Sequence, residues 1–376
     1  MLKKMKIGIL TNIPAPYRKP MWEVYSKIEG VTFNVFYFSK MHKDRKWNFD
    51  KANGVEEKFL EGPRLGKLNL EIFTLFKKYD LWIIGGYSDL TAQFLILFCK
   101  FFRVPYVIMF DGISPKKIEV KENKLKFAWK KFLVKGCFAF LGNGTVGKIY
   151  AKKLGVSEDK IYNQYLTVNI EHFMNLLNEK NKIRSIIRQK LSIPENGLVL
   201  LYVGRLIELK GVQDLIKAYS EIKQQNQNVY LLIVGFGTYE EELKKMSKDV
   251  KDIFFVGHVG YSQIHEYYFA SDILVLPTYD DPWGLVINEA MACGLPVVTT
   301  TAAGASLDLI KDNGYVFEPK DVKALSDIIN KYIEDPNLLF KHSQNSLKII
   351  KEFSFDNSKK EVEKIIKNYQ MREKIK

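Results

Sequence analysis

The stretch DPWGLVINEAMACGLPVV, Asp281 to Val298, holds two carboxylates eight residues apart, Asp281 and Glu289. Asp281 precedes Pro282, the pattern of a helix N-cap with proline at the first helical position. With a helix beginning there, Glu289 sits roughly 12 Å further along the axis at ~1.5 Å per residue. Its neighbours are small or apolar, so the helix reads as buried on most sides, and a carboxylate in such a place needs a partner. The plain alternatives are capping for Asp281 and a surface salt bridge for Glu289. The first amides of the helix, at Gly284, Leu285 and Val286, make an anion site. Upstream, GRLIELKG places Gly204, Arg205 and Lys210 after an apolar strand and before the next helix. A guanidinium fork and an ammonium point charge suit a diphosphate, although solvated loop cations would have the same sequence. A ligand with a diphosphate over the helix start and a hydroxyl-rich sugar on either side would engage all of these groups. One carboxylate would accept from the outer sugar and the other from a ribose. A sugar nucleotide is such a ligand.

The elements that must position these residues are near-continuous apolar runs separated by helical patterns. Met5–Leu10, Thr32–Phe38, Asp80–Gly86, Pro105–Gly112 and Cys137–Asn143 read as strands of one sheet. The pattern restarts with Leu198–Arg205, Val229–Gly237, Ile253–Val259, Asp272–Thr278, Leu295–Thr300 and Gly314–Pro319. Apolar strands alternating with helices predict parallel sheets covered on both faces, hence an α/β chain of two Rossmann-like domains. We place them at residues 1–172 and 173–357, linked through Asn175–Ser185. Ligands in such sheets bind beyond the carboxyl ends of the strands, and two facing domains predict a cleft between them.

The chain has 376 residues, 47% of them hydrophobic, and a formal net charge of +14. Residues 1–172 carry 30 Lys+Arg against 16 Asp+Glu, and the rest is balanced at 27 against 27. The densest basic stretch, Lys116 to Lys135, has eight lysines and two glutamates. Its Leu125, Phe127, Ala128, Trp129, Phe132 and Leu133 could line one side of a helix, either on an anionic membrane surface or as a solvated face over the core. No nucleic-acid-binding motif accompanies the charge, and no nucleic-acid partner is expected. No apolar run is long enough to span a bilayer, and MLKKMKIGIL lacks the long apolar stretch of a signal peptide. Cys99, Cys137 and Cys293 are widely spaced, which predicts buried thiols in a reducing compartment and neither a disulfide set nor a metal site.

The block GRLIELKG … VGFGTYEEEL … FFVGHV … YFASDILVLPTYDDPWGLVINEAMACGLPVV … AAGASLDLIKDNGYVFEP closely resembles the retaining glycosyltransferases of family 4, which have the GT-B fold. The resemblance covers about residues 198–320 and is weaker over the first 170. It implies two Rossmann-like domains facing a cleft, with the final helix, within residues 358–376, packing back on the first domain. It also implies a hinge motion that closes the cleft. The family's E-x7-E pair appears as Asp281-x7-Glu289, one methylene shorter at its first member. By resemblance, Asp281 with the amides of Gly284, Leu285 and Val286 holds the donor sugar and phosphate, and Glu289 binds the ribose. Arg205 and Lys210 hold the diphosphate as it leaves, beside Gly204. His258 or Val259 lies along the nucleobase, and Gly304 marks a close approach to the ligand. Gly235–Gly237 reads as a turn and does not extend to a dinucleotide fingerprint.

In the first domain the loop Thr11–Glu23 has prolines where relatives have glycines, with Tyr17 and Arg18 toward the cleft. Many relatives carry a histidine on the loop ending the fourth strand. Here the residue is Asp111, either an acceptor-side group or a cap before Gly112. No cofactor and no metal is implied beyond the nucleotide-sugar donor. The implied acceptor is a glycan or lipid-linked hydroxyl, at a cytoplasmic site that extends to the inner membrane face. Two rivals stand beside this reading. One is a GT-B sugar-nucleotide epimerase or phosphorylase, and the other a non-catalytic partner subunit that binds the nucleotide-sugar.

Overall fold

The computed structural model describes residues 4–39 and 51–375. The first three residues of the MLKKMKIGIL stretch, and residue 376 of the final helix, lie outside the described residues. The chain divides into two compact units. The first comprises the chain up to Ile113, Ile118–Leu166, and everything from Phe355 onward. The second comprises Ser114–Lys117 and Thr167–Ser354.

The first unit holds strands β1 (Met5–Thr11), β2 (Val31–Tyr37), β3 (Glu56–Phe59), a small antiparallel pair β4 (Arg64–Leu65) and β5 (Leu68–Asn69), then β6 (Leu81–Gly85), β7 (Tyr106–Phe110), β8 (Ala139–Gly142) and β9 (Ile161–Asn163). Seven of them make one sheet in the order β3-β2-β1-β6-β7-β8-β9, parallel throughout. The strands β1, β6, β7 and β8 are apolar along nearly their whole length because helices cover both faces. The helix Leu90–Phe101 starts on Asp89, whose carboxylate accepts from the Thr91 N–H at 2.7 Å. The last helix, Phe355–Ile375, buries Val362, Ile365 and Ile366 in this unit's core. It is tied there by Tyr25 Oη to Ser358 Oγ at 2.7 Å, and by Asn368 Nδ2 donating to Tyr162 Oη at 2.9 Å.

The second unit holds β10 (Leu198–Val203), β11 (Val229–Val234), β12 (Ile253–Gly257), β13 (Ile273–Leu276), β14 (Val297–Thr300) and β15 (Gly314–Phe317). They form a parallel sheet in the order β12-β11-β10-β13-β14-β15. The stretch read as the link, Asn175–Ser185, is helical for most of its length. Ile170–Asn175 and Lys180–Lys190 are α-helices of this unit. Arg188 is fully buried and closes the unit's base, donating to Asp272 Oδ2 at 2.7 Å and to the carbonyls of Ala270, Pro194, Glu195 and Gly197.

Both sheets reverse their winding at one place, between β1 and β6 in the first and between β10 and β13 in the second. At such a switch point the two flanking loops diverge and open a crevice at the carboxyl edge. The Arg205–Lys210 loop follows β10 and the Asp281 loop follows β13, so the order of strands alone brings the two motifs together.

Candidate functional site

At the carboxyl edge of β10, Gly204 and the exposed Arg205 lead into a short 3-10 turn, Glu208–Lys210, and then into the helix Val212–Gln225. The buried Tyr202 hydroxyl donates to the Arg205 carbonyl at 2.8 Å and fixes where this loop leaves the sheet. Gly235, at the end of β11, has φ +142°, and a Cβ built there would run into the Gly204 carbonyl. Gly235→Ala is therefore expected to push the Gly204–Arg205 loop outward at a cost of about 1–3 kcal/mol, read as a lowered midpoint of denaturant unfolding.

The loop after β13 is strapped to this one. Tyr279 N–H donates to the Leu209 carbonyl at 2.9 Å, and the Tyr279 hydroxyl donates to Asp214 Oδ2 at 2.6 Å while accepting from Gln213 Nε2 at 2.9 Å. Across the junction the Lys210 ammonium forms an ion pair with Asp281 Oδ2, both side chains largely out of solvent. Asp281 Oδ1 accepts from the Trp283 N–H at 3.1 Å.

The expectation that Asp281 caps the helix, with Pro282 as its first residue, is corrected here. The helix is Leu285–Ala292 and its N-cap is Gly284, held at φ 90° and ψ 63°. Pro282 and Trp283 form a turn ahead of it, with Trp283 buried and its indole N–H donating to Asn288 Oδ1 at 2.9 Å. Only part of the interval from Asp281 to Glu289 is helical, so the axial spacing reckoned from an unbroken helix does not apply. The N–H groups of Leu285 and Val286 stand in the first turn, outside the helical ladder, and Ile287 is the first whose N–H bonds back, to the Gly284 carbonyl at 2.9 Å.

Glu289, one turn into that helix, is half-buried, and its Oε2 accepts from the Tyr268 hydroxyl at 2.6 Å. It forms no ion pair among the described residues, so the surface salt bridge is not its role. Burial raises its carboxyl to about 7, against a smaller downward pull from the Tyr268 hydrogen bond.

The third wall comes from the loop after β14. Asp281 N–H donates to the Ala302 carbonyl at 3.1 Å, Gly304 N–H to the Asp281 carbonyl at 3.0 Å, and Ala305 N–H to the Trp283 carbonyl at 3.0 Å. A Cβ at Gly304 would strike the Pro282 carbonyl. Gly304 thus closely approaches the backbone that carries Asp281, a bracing role that sequence reasoning did not find. His258 and Val259 follow β12 at the same carboxyl edge, and the exposed His258 ring packs edge-on against Phe236 with centroids 5.3 Å apart. No group of three or more His, Cys, Asp or Glu among the described residues could hold a metal ion.

The first unit has its own crevice, of about 480 Å³, at its switch point, lined by Thr11, Tyr17, Arg18, Gly86, Ser88 and Asp111 among others. Arg18 is buried, donates to Asp111 Oδ2, and reaches Met109 Sδ at 3.3 Å. Burial alone would lower the Arg18 value, but the Asp111 carboxylate and Tyr17 beside it more than offset this and hold it raised. Asp111 accepts no backbone N–H among the described residues, so its carboxylate is seen on a guanidinium and not as a cap.

A mannosyltransferase of Corynebacterium glutamicum, GDP-mannose-dependent and acting on a monoacylated phosphatidylinositol monomannoside, is 32% identical over 161 residues, 41% of this chain and 42% of its own. The putative teichuronic acid biosynthesis glycosyltransferase TuaC of Bacillus subtilis is 28% identical over 233 residues, 61% of this chain and 55% of its own. The chain spans about half the length of these curated relatives. Among solved structures, Anabaena HepE in complex with UDP superposes with a TM-score of 0.77 at 20% identity, over 97% of this chain and 100% of that one. The likeness is one of fold, and the two parallel α/β sheets are those of GT-B glycosyltransferases. No helix among the described residues is long and apolar enough to cross a membrane. Residues 183–349, which carry Arg205, Lys210, Asp281 and Glu289, match the family of glycosyl transferases group 1.

Proposed function

We propose that this protein is a retaining, metal-independent glycosyltransferase that moves a sugar from a nucleotide-sugar to an acceptor hydroxyl in glycan or polysaccharide assembly. The observation that carries the reading is the switch point of the second sheet. A cation pair, Arg205 and Lys210, and an acid, Asp281, stand there on loops braced to one another, ahead of the start of the helix that carries a second acid, Glu289. A nucleotide-sugar supplies a complement for each. The diphosphate meets Arg205, Lys210 and the N–H groups of Leu285 and Val286. The sugar hydroxyls donate to Asp281, the ribose hydroxyls to Glu289, and the base lies along His258 and Val259. A relative named as GDP-mannose-dependent and another named as a putative teichuronic acid biosynthesis glycosyltransferase support the same class of chemistry.

In the reaction the bond from the sugar's anomeric carbon to the diphosphate oxygen breaks as the acceptor oxygen approaches on the same face. The departing phosphate oxygen takes the acceptor proton, so no protein nucleophile is required. What the chain supplies is fixed positive charge where negative charge builds up on the leaving group. In the first unit Asp111, with one oxygen committed to Arg18, orients the acceptor hydroxyl through the other.

Incubation with a panel of nucleotide-sugars, with and without acceptor, tests the reading. Nucleotide release that depends on acceptor is expected. Turnover without an acceptor would point to an epimerase, and binding without turnover to a partner subunit.

A further inference from the structure

The first unit leaves a side of two neighbouring helices uncovered. In the helix Lys124–Val134, Leu133 and Val134 are buried, whereas Leu125, Trp129 and Phe132, at helical spacing, are 83%, 41% and 48% exposed. Trp129 and Phe132 stack with centroids 5.6 Å apart, and the Trp129 indole N–H donates to Gln93 Oε1 at 3.0 Å on the helix Leu90–Phe101. That helix ends in Phe101, 80% exposed. Between the two helices Phe94, Leu97, Phe98 and Phe132 line an open apolar groove of about 530 Å³, whose one charged member is Lys100.

Lys100 also lines a second hollow, of about 750 Å³, together with Arg103, Lys135, Lys160 and Arg372. No Asp or Glu lines it, and none of the five cations is in an ion pair among the described residues. Lys100 lies over the Phe132 ring at 4.7 Å and donates to the Phe132 carbonyl at 2.8 Å, so the groove and the hollow meet at this one side chain.

A cationic hollow with no carboxylate in its lining favours an anion. An adjoining groove of aromatic side chains needs an apolar occupant. A free phosphate would use only the first, and an apolar peptide only the second. A phospholipid with an acidic headgroup joins both chemistries in one molecule. A short helix with an exposed Leu–Trp–Phe stripe flanked by lysines is built to lie in the boundary between headgroups and acyl chains.

We propose that this face docks on a bilayer of anionic phospholipid, the hollow taking a headgroup phosphate and the Leu125, Trp129, Phe132 and Phe101 side chains entering the acyl boundary. The surface lies wholly in the first unit, so the proposal stands or falls separately from the donor chemistry of the second.

Flotation of the full chain with phosphatidylcholine vesicles, with and without phosphatidylglycerol, tests it. Two variants accompany the parent protein, Leu125→Ser/Phe101→Ser and Arg103→Ser/Lys135→Ser/Arg372→Ser, each altering exposed side chains, with circular dichroism confirming that both fold. The parent is expected to float only with phosphatidylglycerol and to be released by salt. The charge variant should partition more weakly by about five-fold per cation removed, roughly 10² in all. The apolar variant should bind more weakly even at low salt. Flotation indifferent to phosphatidylglycerol, no flotation at all, or variants that behave like the parent would overturn the proposal. So would a dimer, seen by sedimentation without lipid, that the apolar variant dissolves, because the face would then belong to a second copy of the chain.

Discussion

Alanine at Arg205 or at Lys210 is expected to lower sugar transfer by about 10²–10³-fold, the usual effect of removing one group that stabilises charge developing in a transition state. The two variants should differ in what they do to the structure. Arg205 is exposed, and its loop is held by the Tyr202 hydroxyl on its carbonyl and by the packing of Gly204 on Gly235, neither of which needs the guanidinium. Arg205→Ala should therefore leave the path of this loop out of the sheet unchanged. Lys210 neutralises Asp281, a carboxylate with little access to water. Its removal leaves Asp281 with the Trp283 N–H as the one other donor to its side chain among the described residues, and should cost about 1–3 kcal/mol of stability. Adding Asp281→Asn to Lys210→Ala removes the stranded charge, so the double variant should recover the melting temperature without recovering transfer. Full turnover in Arg205→Ala would refute the electrostatic role. Recovery of transfer in the double variant would reduce Lys210 to a structural partner of Asp281.

The strands that build this site were legible because burial on both faces writes itself as a continuous apolar run. LVLLYV, VYLLIV and ILVL are such runs, and they became β10, β11 and β13. The strand Glu56–Phe59 was not legible. Its sequence is EEKF, and its buried member is an acid, Glu57, satisfied by the Tyr37 hydroxyl at 2.5 Å and the Ala52 N–H at 2.6 Å. Those partners are 20 and 5 residues away, and no local periodicity announces them. The start of the site helix was misplaced for a related reason. Asp-Pro is a sound local signal for a helix start, but here the preceding chain is held by bonds to the loop after β14, through Ala302, Gly304 and Ala305, and the aspartate is claimed by Lys210. Long-range bonds outbid the local preference, and a glycine able to take φ 90° then opened the helix three residues later. The pairing of Arg18 with Asp111 was out of reach for the same cause, since 93 residues separate them.

Glu289 leads to the second large effect. Burial raises its carboxyl to about 7, so near neutrality the empty site holds a mixture of acid and carboxylate. Ribose hydroxyls are donors, and a carboxylate accepts from them more strongly than the neutral acid does. Nucleotide binding should therefore release a proton from Glu289, and affinity should weaken as pH falls below about 7, approaching tenfold per pH unit and on the order of 10² by pH 5. Tyr268→Phe removes the hydrogen bond that favours the carboxylate and should move the whole profile to higher pH. Glu289→Gln should flatten it, apart from the titration of the nucleotide's own phosphate, which the variant isolates. Stability carries the opposite slope. The folded protein keeps a proton that the unfolded chain surrenders near its ordinary value of 4.5, so stability falls as pH rises from about 4.5 to about 7 and is level above that. The loss amounts to about 3 kcal/mol and should be absent in Glu289→Gln. Calorimetric titration of the nucleotide in two buffers of different ionisation enthalpy counts the released proton directly. A count of zero at pH 6.5, with affinity flat from pH 5 to 8, would remove Glu289 from the ribose and leave its contact with Tyr268 as a feature of packing alone.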